Sequence, residues 1–227
     1  MAQATMVRTD EGIKVDIVDQ LSWDTRVDAA DVTVTVDNGR VTLGGSVPTY
    51  AAKLAAEDDA WVVAGVRAIQ NQIAVTSPPG VSMPSDADLA SRIRSRLVGR
   101  ADLDLAMDKI AVSAVDGFVT LEGTVESYWK KVEAAIEALH VTGVMDVTNK
   151  LAVVPTAAFT DEAIARDIVS ALDRNISTDV ENIDVEVNNG TVTLAGTVPN
   201  RAARLAAYRA ALYAAGVTDI EDNLLVA

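Results

Sequence analysis

The chain has 227 residues, of which 49% are hydrophobic but only 4% are aromatic, and its formal net charge is −14. This much negative charge disfavours binding to nucleic acid and, on average, to anionic lipid, because both ligands carry phosphates. The absence of cysteine excludes disulfides, thiolate catalysis and zinc–thiolate sites.

The chain begins "MAQATMVRTDEG", which lacks the apolar core of roughly 7–15 residues that a signal peptide requires. No apolar run reaches the roughly 18 residues of a transmembrane helix. We therefore expect a cytoplasmic protein without a transmembrane segment. A periplasmic location is the alternative, if a signal peptide has been removed from this chain.

The first predicted element is an amphipathic helix, and its pattern occurs three times. In each copy, apolar residues at i, i+4 and i+8 lie on one helical face. "SDAD" at 85–88 has the form of a capping box, and Thr160 can cap the third copy. The apolar triplets are Ile13, Ile17 and Leu21; Leu89, Ile93 and Leu97; and Ile164, Ile168 and Leu172.

A β-hairpin follows each of these helices. Its second strand is written "GRVTLGGSV" (39–47), "GFVTLEGTV" (117–125) and "GTVTLAGTV" (190–198). The turns "NG", "DG" and "NG" suit a tight type I′ turn, because Asn, Asp and Gly tolerate positive φ. Pairing across the first turn places Val36 opposite Val41 and Val34 opposite Leu43, all on the core face.

Three glycines recur in every copy. We expect the strand glycine, Gly45 in the first copy, to let a helix cross near the sheet. The second helix is predicted to end at a later glycine, Gly65 in the first copy, and a last strand follows. The complete set is Gly39, Gly45, Gly65, Gly117, Gly123, Gly143, Gly190, Gly196 and Gly216.

These elements predict an α+β fold of three tandem αββαβ domains. Each domain would be a three-stranded mixed sheet with two helices packed on one face. The predicted bounds are 1–77 for the first domain, 78–84 for a proline-rich linker, 85–154 for the second domain, 155–159 for a short linker and 160–227 for the third domain.

The repeated motif resembles the BON domain, a family of bacterial osmotically inducible and nodulation proteins. The carrying residues begin with Asn38-Gly39, Val41-Thr42-Leu43, Gly45 and Asn71. The other two copies repeat the turn glycine, the Val-Thr-Leu run and the strand glycine, and the second copy also has Asn149. The third copy departs by having Asp222 where the others have Asn71 and Asn149. The resemblance implies a non-enzymatic, stress-associated or transport-associated module that binds phospholipid or membrane surfaces.

The start of each second helix is the candidate binding site, because cations and aromatic rings occur together there. The three copies read "PTYAAKL" (48–54), "ESYWKKV" (126–132) and "PNRAARL" (199–205). Trp and Tyr beside Lys suit the interface between water and lipid. The alternative is that the rings merely cover the sheet edge. The candidate residues are Tyr50, Lys53, Tyr128, Trp129, Lys130, Lys131, Arg201 and Arg204.

Other polar residues favour structural interpretations. The single histidine, His140, cannot seed a typical zinc site and is expected to interact with a helix C-terminus. Acidic clusters such as 57–59 lack calcium-loop spacing and are interpreted as solvated faces. The basic stretch "SRIRSRLVGR" (91–100) is interpreted as intramolecular charge balance. We therefore predict no enzyme, no cofactor and no metal.

Two functions follow from the sequence. The first is a stress-associated binding protein that engages a phospholipid membrane surface. The alternative is a soluble protein-interaction scaffold or holdase without lipid binding. Neither involves nucleic acid, and the sequence leaves the oligomeric state open.

Overall fold

The computed structural model describes residues 8–76, 84–174 and 183–227. Most of the predicted linker at 78–84 therefore lies outside the described residues. Internal contacts divide the chain into two compact units, residues 1–81 and 82–227. The first unit holds one copy of the repeat, and the second unit holds two.

The first repeat contains two helices and one sheet. Its last strand is split into two short pieces, and both pieces pair with the central strand. The sheet therefore contains four strands but is only three strands wide. The elements are α1 (Asp10–Trp23), β1 (Val32–Asp37), β2 (Arg40–Val47), α2 (Tyr50–Trp61), β3 (Ala68–Asn71) and β4 (Ala74–Val75).

The second and third repeats have the same order of elements with an unbroken last strand. The second repeat consists of α3 (Asp86–Gly99), β5 (Ile110–Val115), β6 (Phe118–Val125), α4 (Tyr128–Leu139) and β7 (Asp146–Val153). The third consists of α5 (Asp161–Asp173), β8 (Ile183–Asn188), β9 (Thr191–Val198), α6 (Arg201–Leu212) and β10 (Asp219–Val226).

Each sheet is mixed, as predicted. The hairpin strands pair antiparallel, and the last strand pairs parallel to the second hairpin strand, which is therefore central. In the first repeat, Val36 pairs with Val41 and Val34 pairs with Leu43, which confirms the predicted register. The α+β class and the αββαβ order are also confirmed.

The first helix of each repeat starts at a side-chain cap. Thr9, Ser85 and Thr160 each accept a hydrogen bond from the backbone N–H three residues ahead, at 3.2, 3.2 and 3.3 Å. Such a cap satisfies an N–H group that has no partner within the helix. All three apolar triplets predicted for these helices are buried in the cores.

An aspartate at the start of α1 also holds the hairpin turn. The Asp10 carboxylate accepts hydrogen bonds from the backbone N–H groups of Asn38 at 2.7 Å and Gly39 at 2.9 Å. Asp161 repeats this arrangement in the third repeat, with distances of 2.8 and 2.9 Å to its turn. A carboxylate at a helix N-terminus is also favoured by the helix dipole.

The strand glycine has a different role from the one predicted. At Gly45, where φ is +92°, an added Cβ would lie 1.9 Å from the carbonyl oxygen of Asp31. At Gly123, where φ is +133°, it would lie 1.9 Å from the carbonyl oxygen of Lys109. The close element is therefore the backbone entering the first hairpin strand, and not a crossing helix.

The second helices end before the glycines that were predicted to stop them. α2 ends at Trp61, and Gly65 lies in the turn that follows, with φ of +96°. An added Cβ at Gly65 would meet the Ile13 side chain at 2.8 Å. This glycine therefore lets the turn pack against α1.

We expect the Gly123→Ala variant to destabilise the second repeat by more than about 2 kcal/mol, because it adds a backbone clash to an unfavourable φ. Gly99→Ala is the matched control. Gly99 lies in α3 with no atom within 4 Å of its added Cβ, and alanine should stabilise the helix by about 0.5–1 kcal/mol. Hydrogen exchange of the β5 and β6 amides in the full chain measures both effects. Equal protection in both variants would contradict the prediction.

Candidate functional site

The candidate residues lie at the starts of α2, α4 and α6, where each helix follows the central strand. Thr49 and Asn200 cap their helices through side-chain oxygens, at 3.1 Å from Ala52 N and 2.9 Å from Ala203 N. Ser127 makes no such bond, and its Oγ is buried without a partner in the described part of the chain. The start of α4 therefore differs from the other two.

The aromatic residues of α4 contact the third repeat. The rings of Trp129 and Tyr213 lie with centroids 6.3 Å apart and tilted by 45°. Tyr128 also interacts with Asp219 and with Tyr208 of the third repeat. Burial raises the pKa of both Tyr128 and Tyr208, and the neighbouring negative charge of Asp219 adds to this shift. The aromatic pair predicted to meet lipid thus joins two repeats.

The lysines that follow are held by local partners. The Lys130 side chain is only 12% exposed, and its Nζ donates to the Asp104 carbonyl and to Glu126 Oε2, both at 3.3 Å. It also lies 5.9 Å from the Trp129 ring centroid, and Lys131 Nζ lies 5.9 Å from that of Tyr128. These distances permit cation–π attraction within the helix start.

The other candidates are spread over the first and third repeats. Tyr50 and Lys53 are half-buried at the start of α2, and Arg201 is exposed at the start of α6. Arg204 Nε donates to Asp222 Oδ2 at 3.1 Å. Within each repeat, the candidates share a single helix turn.

In the third repeat Asp222 replaces the asparagine of the motif, and a hydrogen bond from Arg204 replaces the one that the asparagine makes. In the second repeat, Asn149 Nδ2 donates to the Lys131 carbonyl at 2.7 Å. A carboxylate cannot donate, and Asp222 instead accepts the hydrogen bond of Arg204, which replaces Lys131 at that position. In both repeats the side-chain oxygen also accepts a backbone N–H two residues ahead, at 3.2 and 3.1 Å. The motif residue therefore ties the last strand to the second helix.

Two arginines of the basic stretch at 91–100, Arg96 and Arg100, form ion pairs inside the second repeat. Arg96 Nε donates to the buried Glu137 at 2.6 Å, and Arg100 contacts the same carboxylate. Arg100 also pairs with Asp102 at 2.8 Å, which lowers the pKa of Asp102 to about 2. Arg94 Nη2 donates to the Val112 carbonyl at 2.8 Å, on the edge strand β5. For Arg96 and Arg100, the structure therefore agrees with intramolecular charge balance.

The single histidine and a cleft beside α4 are the places in the described residues where acid–base or metal chemistry would be sought. His140 caps the end of α4, where its Nδ1 lies 2.7 Å from the Ile136 carbonyl oxygen. A cleft of about 340 Å³ beside Lys130 also includes Lys109 and Glu126, but it has no histidine. In residues 8–76, 84–174 and 183–227 no cluster of three metal-ligating side chains occurs. No helix in these ranges is long and apolar enough to cross a membrane.

An exposed apolar pair, which the sequence analysis missed, lies at the hairpin tip of the second repeat. Val115 and Phe118 face each other across the turn and are 65% and 58% exposed. The same positions hold Asp37 and Arg40 in the first repeat and Asn188 and Thr191 in the third. Comparing the three copies at this position would have revealed the difference.

The family assignment follows from comparison with known domains. The BON domain family matches residues 9–77, 85–155 and 160–227. The chain belongs to the BON domain family. Three copies of this domain therefore account for the three sheets and six helices of the described structure.

Individual relatives add little to this assignment. An uncharacterised protein of Anaplasma centrale, from the gshII 5′ region, is 30% identical over 100 residues, covering 43% of this chain and 65% of that protein. A structure of CdsD, a structural protein of the type III secretion system of Chlamydia trachomatis, is 15% identical, and the match covers 94% of this chain and 92% of the chain in that structure. Its TM-score of 0.25 supports no structural argument. A separate structure of the C-terminal domain of CdsD gives the same identity and TM-score.

We expect the Asn149→Asp variant to destabilise the second repeat by about 1–3 kcal/mol, because a carboxylate cannot donate to the Lys131 carbonyl. Adding Lys131→Arg should restore part of the loss by recreating the pair found in the third repeat. Urea unfolding, followed through amide signals of the second repeat, gives the two free energies. No rescue in the double variant would contradict the proposed compensation.

We expect the contact between the second and third repeats to weaken above pH 10. The pKa of Tyr128 is raised above its ordinary value of 10.0, so the folded state favours the neutral phenol. This contribution is fully present below pH 10 and is lost as the pH rises through the raised pKa. Stability against urea from pH 9 to 12 should fall less in Tyr128→Phe than in the parent protein. Tyr213→Phe is the control, and an equal loss in both variants would contradict this assignment.

Proposed function

We propose that this protein is a non-catalytic binding protein that engages other proteins, with the hairpin tip of the second repeat as a contact surface. BON domains are generally non-catalytic binding domains, and three of them occur in this chain. The observation that carries the proposal is the exposed pair Val115 and Phe118. Aromatic residues are enriched in protein interfaces and contribute much of the binding energy there.

The surroundings of the tip also favour a protein partner. The second repeat is the only one of the three with apolar residues at both tip positions. Further along the same sheet, Lys150 Nζ and Glu122 Oε1 form an ion pair at 3.1 Å. The sheet thus offers an apolar tip together with paired charges, and protein interfaces combine apolar and polar contacts.

Binding to a phospholipid surface is the alternative function. Its support is the family resemblance together with Tyr50 and Lys53 in the first repeat and Arg201 in the third. The strongest aromatic and cationic residues, in the second repeat, already contact Asp219, Tyr208, Tyr213 and local oxygens. Engaging lipid there would require giving up these contacts, which is why we favour the protein partner.

We expect the full chain, in molar excess, to suppress aggregation of a chemically denatured client protein, as a stress-associated holdase does. The variant Val115→Asn/Phe118→Thr carries the tip residues of the third repeat and should fold normally while losing most of the suppression. Val98→Thr, which changes another exposed valine (66%), should suppress as the parent does. Light scattering measures aggregation of the client protein in the presence of the parent chain and of each of the two variants.

Sedimentation with vesicles distinguishes the two functions. Anionic and zwitterionic vesicles should leave the chain in the supernatant at low and at physiological salt. Salt-sensitive binding that disappears in Tyr50→Ala/Lys53→Ala would favour the lipid function instead. Absence of client suppression would contradict the holdase form of the protein-binding function.

A further inference from the structure

The hairpin tip of the second repeat lies on the open face of its sheet. Helices α3 and α4 pack on the face that carries Val119 and Leu121. Alternate residues of a strand point to opposite faces, so Val115 and Phe118 lie on the face that the helices leave uncovered. Their exposed fractions of 65% and 58% agree with this placement.

A third apolar residue, Met145, adjoins the same turn. It lies directly before β7, and its backbone N–H donates to the carbonyl of Gly117 in the turn at 2.9 Å. Its Cγ is so close to this glycine that a Cβ added there would meet it at 3.1 Å. The methionine side chain is flexible and is common on surfaces that bind varied partners.

Two exposed aspartates lie beside these apolar residues. Asp146 is the partner of Phe118 in the register between β6 and β7, and Asp116 lies in the turn itself with φ of +52°. Asp146 Oδ1 accepts a hydrogen bond from the next backbone N–H at 2.8 Å, and a carboxylate can accept several. The one cation in β5, β6 and β7 is Lys150, which already pairs with Glu122 at 3.1 Å. The tip therefore combines apolar surface with negative charge that these strands do not neutralise.

The other two repeats have different chemistry at their tips. The positions of Phe118 and Met145 hold Arg40 and Arg67 in the first repeat and Thr191 and Thr218 in the third. Both of these repeats also have asparagine at the turn position of Asp116. The second repeat thus differs from the other two by placing a carboxylate in the turn together with apolar neighbours.

The third repeat shows what this end of a repeat can contact. Asp219 occupies the place of Asp146 there, and it interacts with Tyr128 at the start of α4. The next residue of α4, Trp129, lies with its ring centroid 6.3 Å from that of Tyr213, directly after α6. Two lysines follow these rings in the sequence. The chain itself therefore sets an aromatic and cationic segment against the end of a repeat that carries this aspartate.

We propose that the hairpin tip of the second repeat binds a partner segment in which aromatic side chains are followed by lysine or arginine. The aromatic side chains cover Val115, Phe118 and Met145, and the cations pair with Asp116 and Asp146. The net charge of −14 favours the approach of a basic segment and opposes that of an acidic one. This inference rests on the proposed protein-binding function and adds the chemistry of the partner.

Two synthetic peptides test this chemistry against the full chain. One contains the sequence Tyr-Trp-Lys-Lys of α4, and in the other Glu replaces both lysines. We expect the first to shift the backbone amide NMR signals of residues 115–118 and 145–146, with an affinity that falls as salt is added. The second should bind at least about tenfold more weakly, because its charges face the two aspartates. Shifts confined to the third repeat would overturn the assignment of the site.

Substitutions separate the contribution of charge from that of apolar surface. Asp116→Asn gives the turn the residue found in the other repeats, and it should weaken binding of the first peptide by up to about fivefold, as expected for an exposed ion pair. Asp146→Asn should do the same, and Val115→Asn/Phe118→Thr should abolish binding. Asp184→Asn removes an exposed aspartate from the edge strand β8 of the third sheet and should leave the affinity unchanged.

The two peptides also separate this inference from the proposed function. Equal binding of both peptides would overturn the preference for cations and leave the protein-binding function standing. Binding of neither peptide would overturn the inference, even if the client protein is still protected from aggregation. Salt-sensitive binding of the lysine peptide without protection of the client would instead support the inference and contradict the holdase form of the function.

Discussion

Every repeat depends on its central strand being enclosed on both edges and on one face. β2, β6 and β9 pair with a strand on each side, and their Val-x-Leu residues, such as Val41 and Leu43, are almost fully buried. In the first and second repeats, the backbone that enters the first hairpin strand approaches the central strand so closely at Gly45 and Gly123 that no side chain fits there. This steric limit explains the glycine within the motif in these two repeats, whose surfaces differ.

Local patterns predicted the fold because each element carries its own signal. The spacing of Ile13, Ile17 and Leu21 identifies the buried face of a helix, and the Asn38-Gly39 turn sets the hairpin register. The roles of Gly45 and Gly65 were predicted less well. Their neighbours, Asp31 and Ile13, are distant in sequence, so no local pattern indicates what approaches each glycine.

The candidate site was harder to predict, because its chemistry depends on contacts between repeats and between helices. Tyr128 and Trp129 have the composition of a lipid-facing pair, yet Asp219, Tyr208 and Tyr213 of the third repeat surround them. The acidic stretch at 57–59 looked like a solvated face, whereas Asp59 is buried and its Oδ1 accepts a hydrogen bond from Gln20 of α1. In both cases the environment of the side chain depends on the residues that the fold brings against it, and the residue type alone does not reveal them.

The different polar pairs between the two helices of each repeat bear on how the chain folds. Tandem domains with similar sequences can exchange equivalent elements and misassemble. Pairing α1 with α4 would take Glu137 away from Arg96 of α3 and from Arg100, which follows α3. Removing the partners of a buried charge is costly. The ion pairs of the second repeat therefore disfavour this exchange of helices.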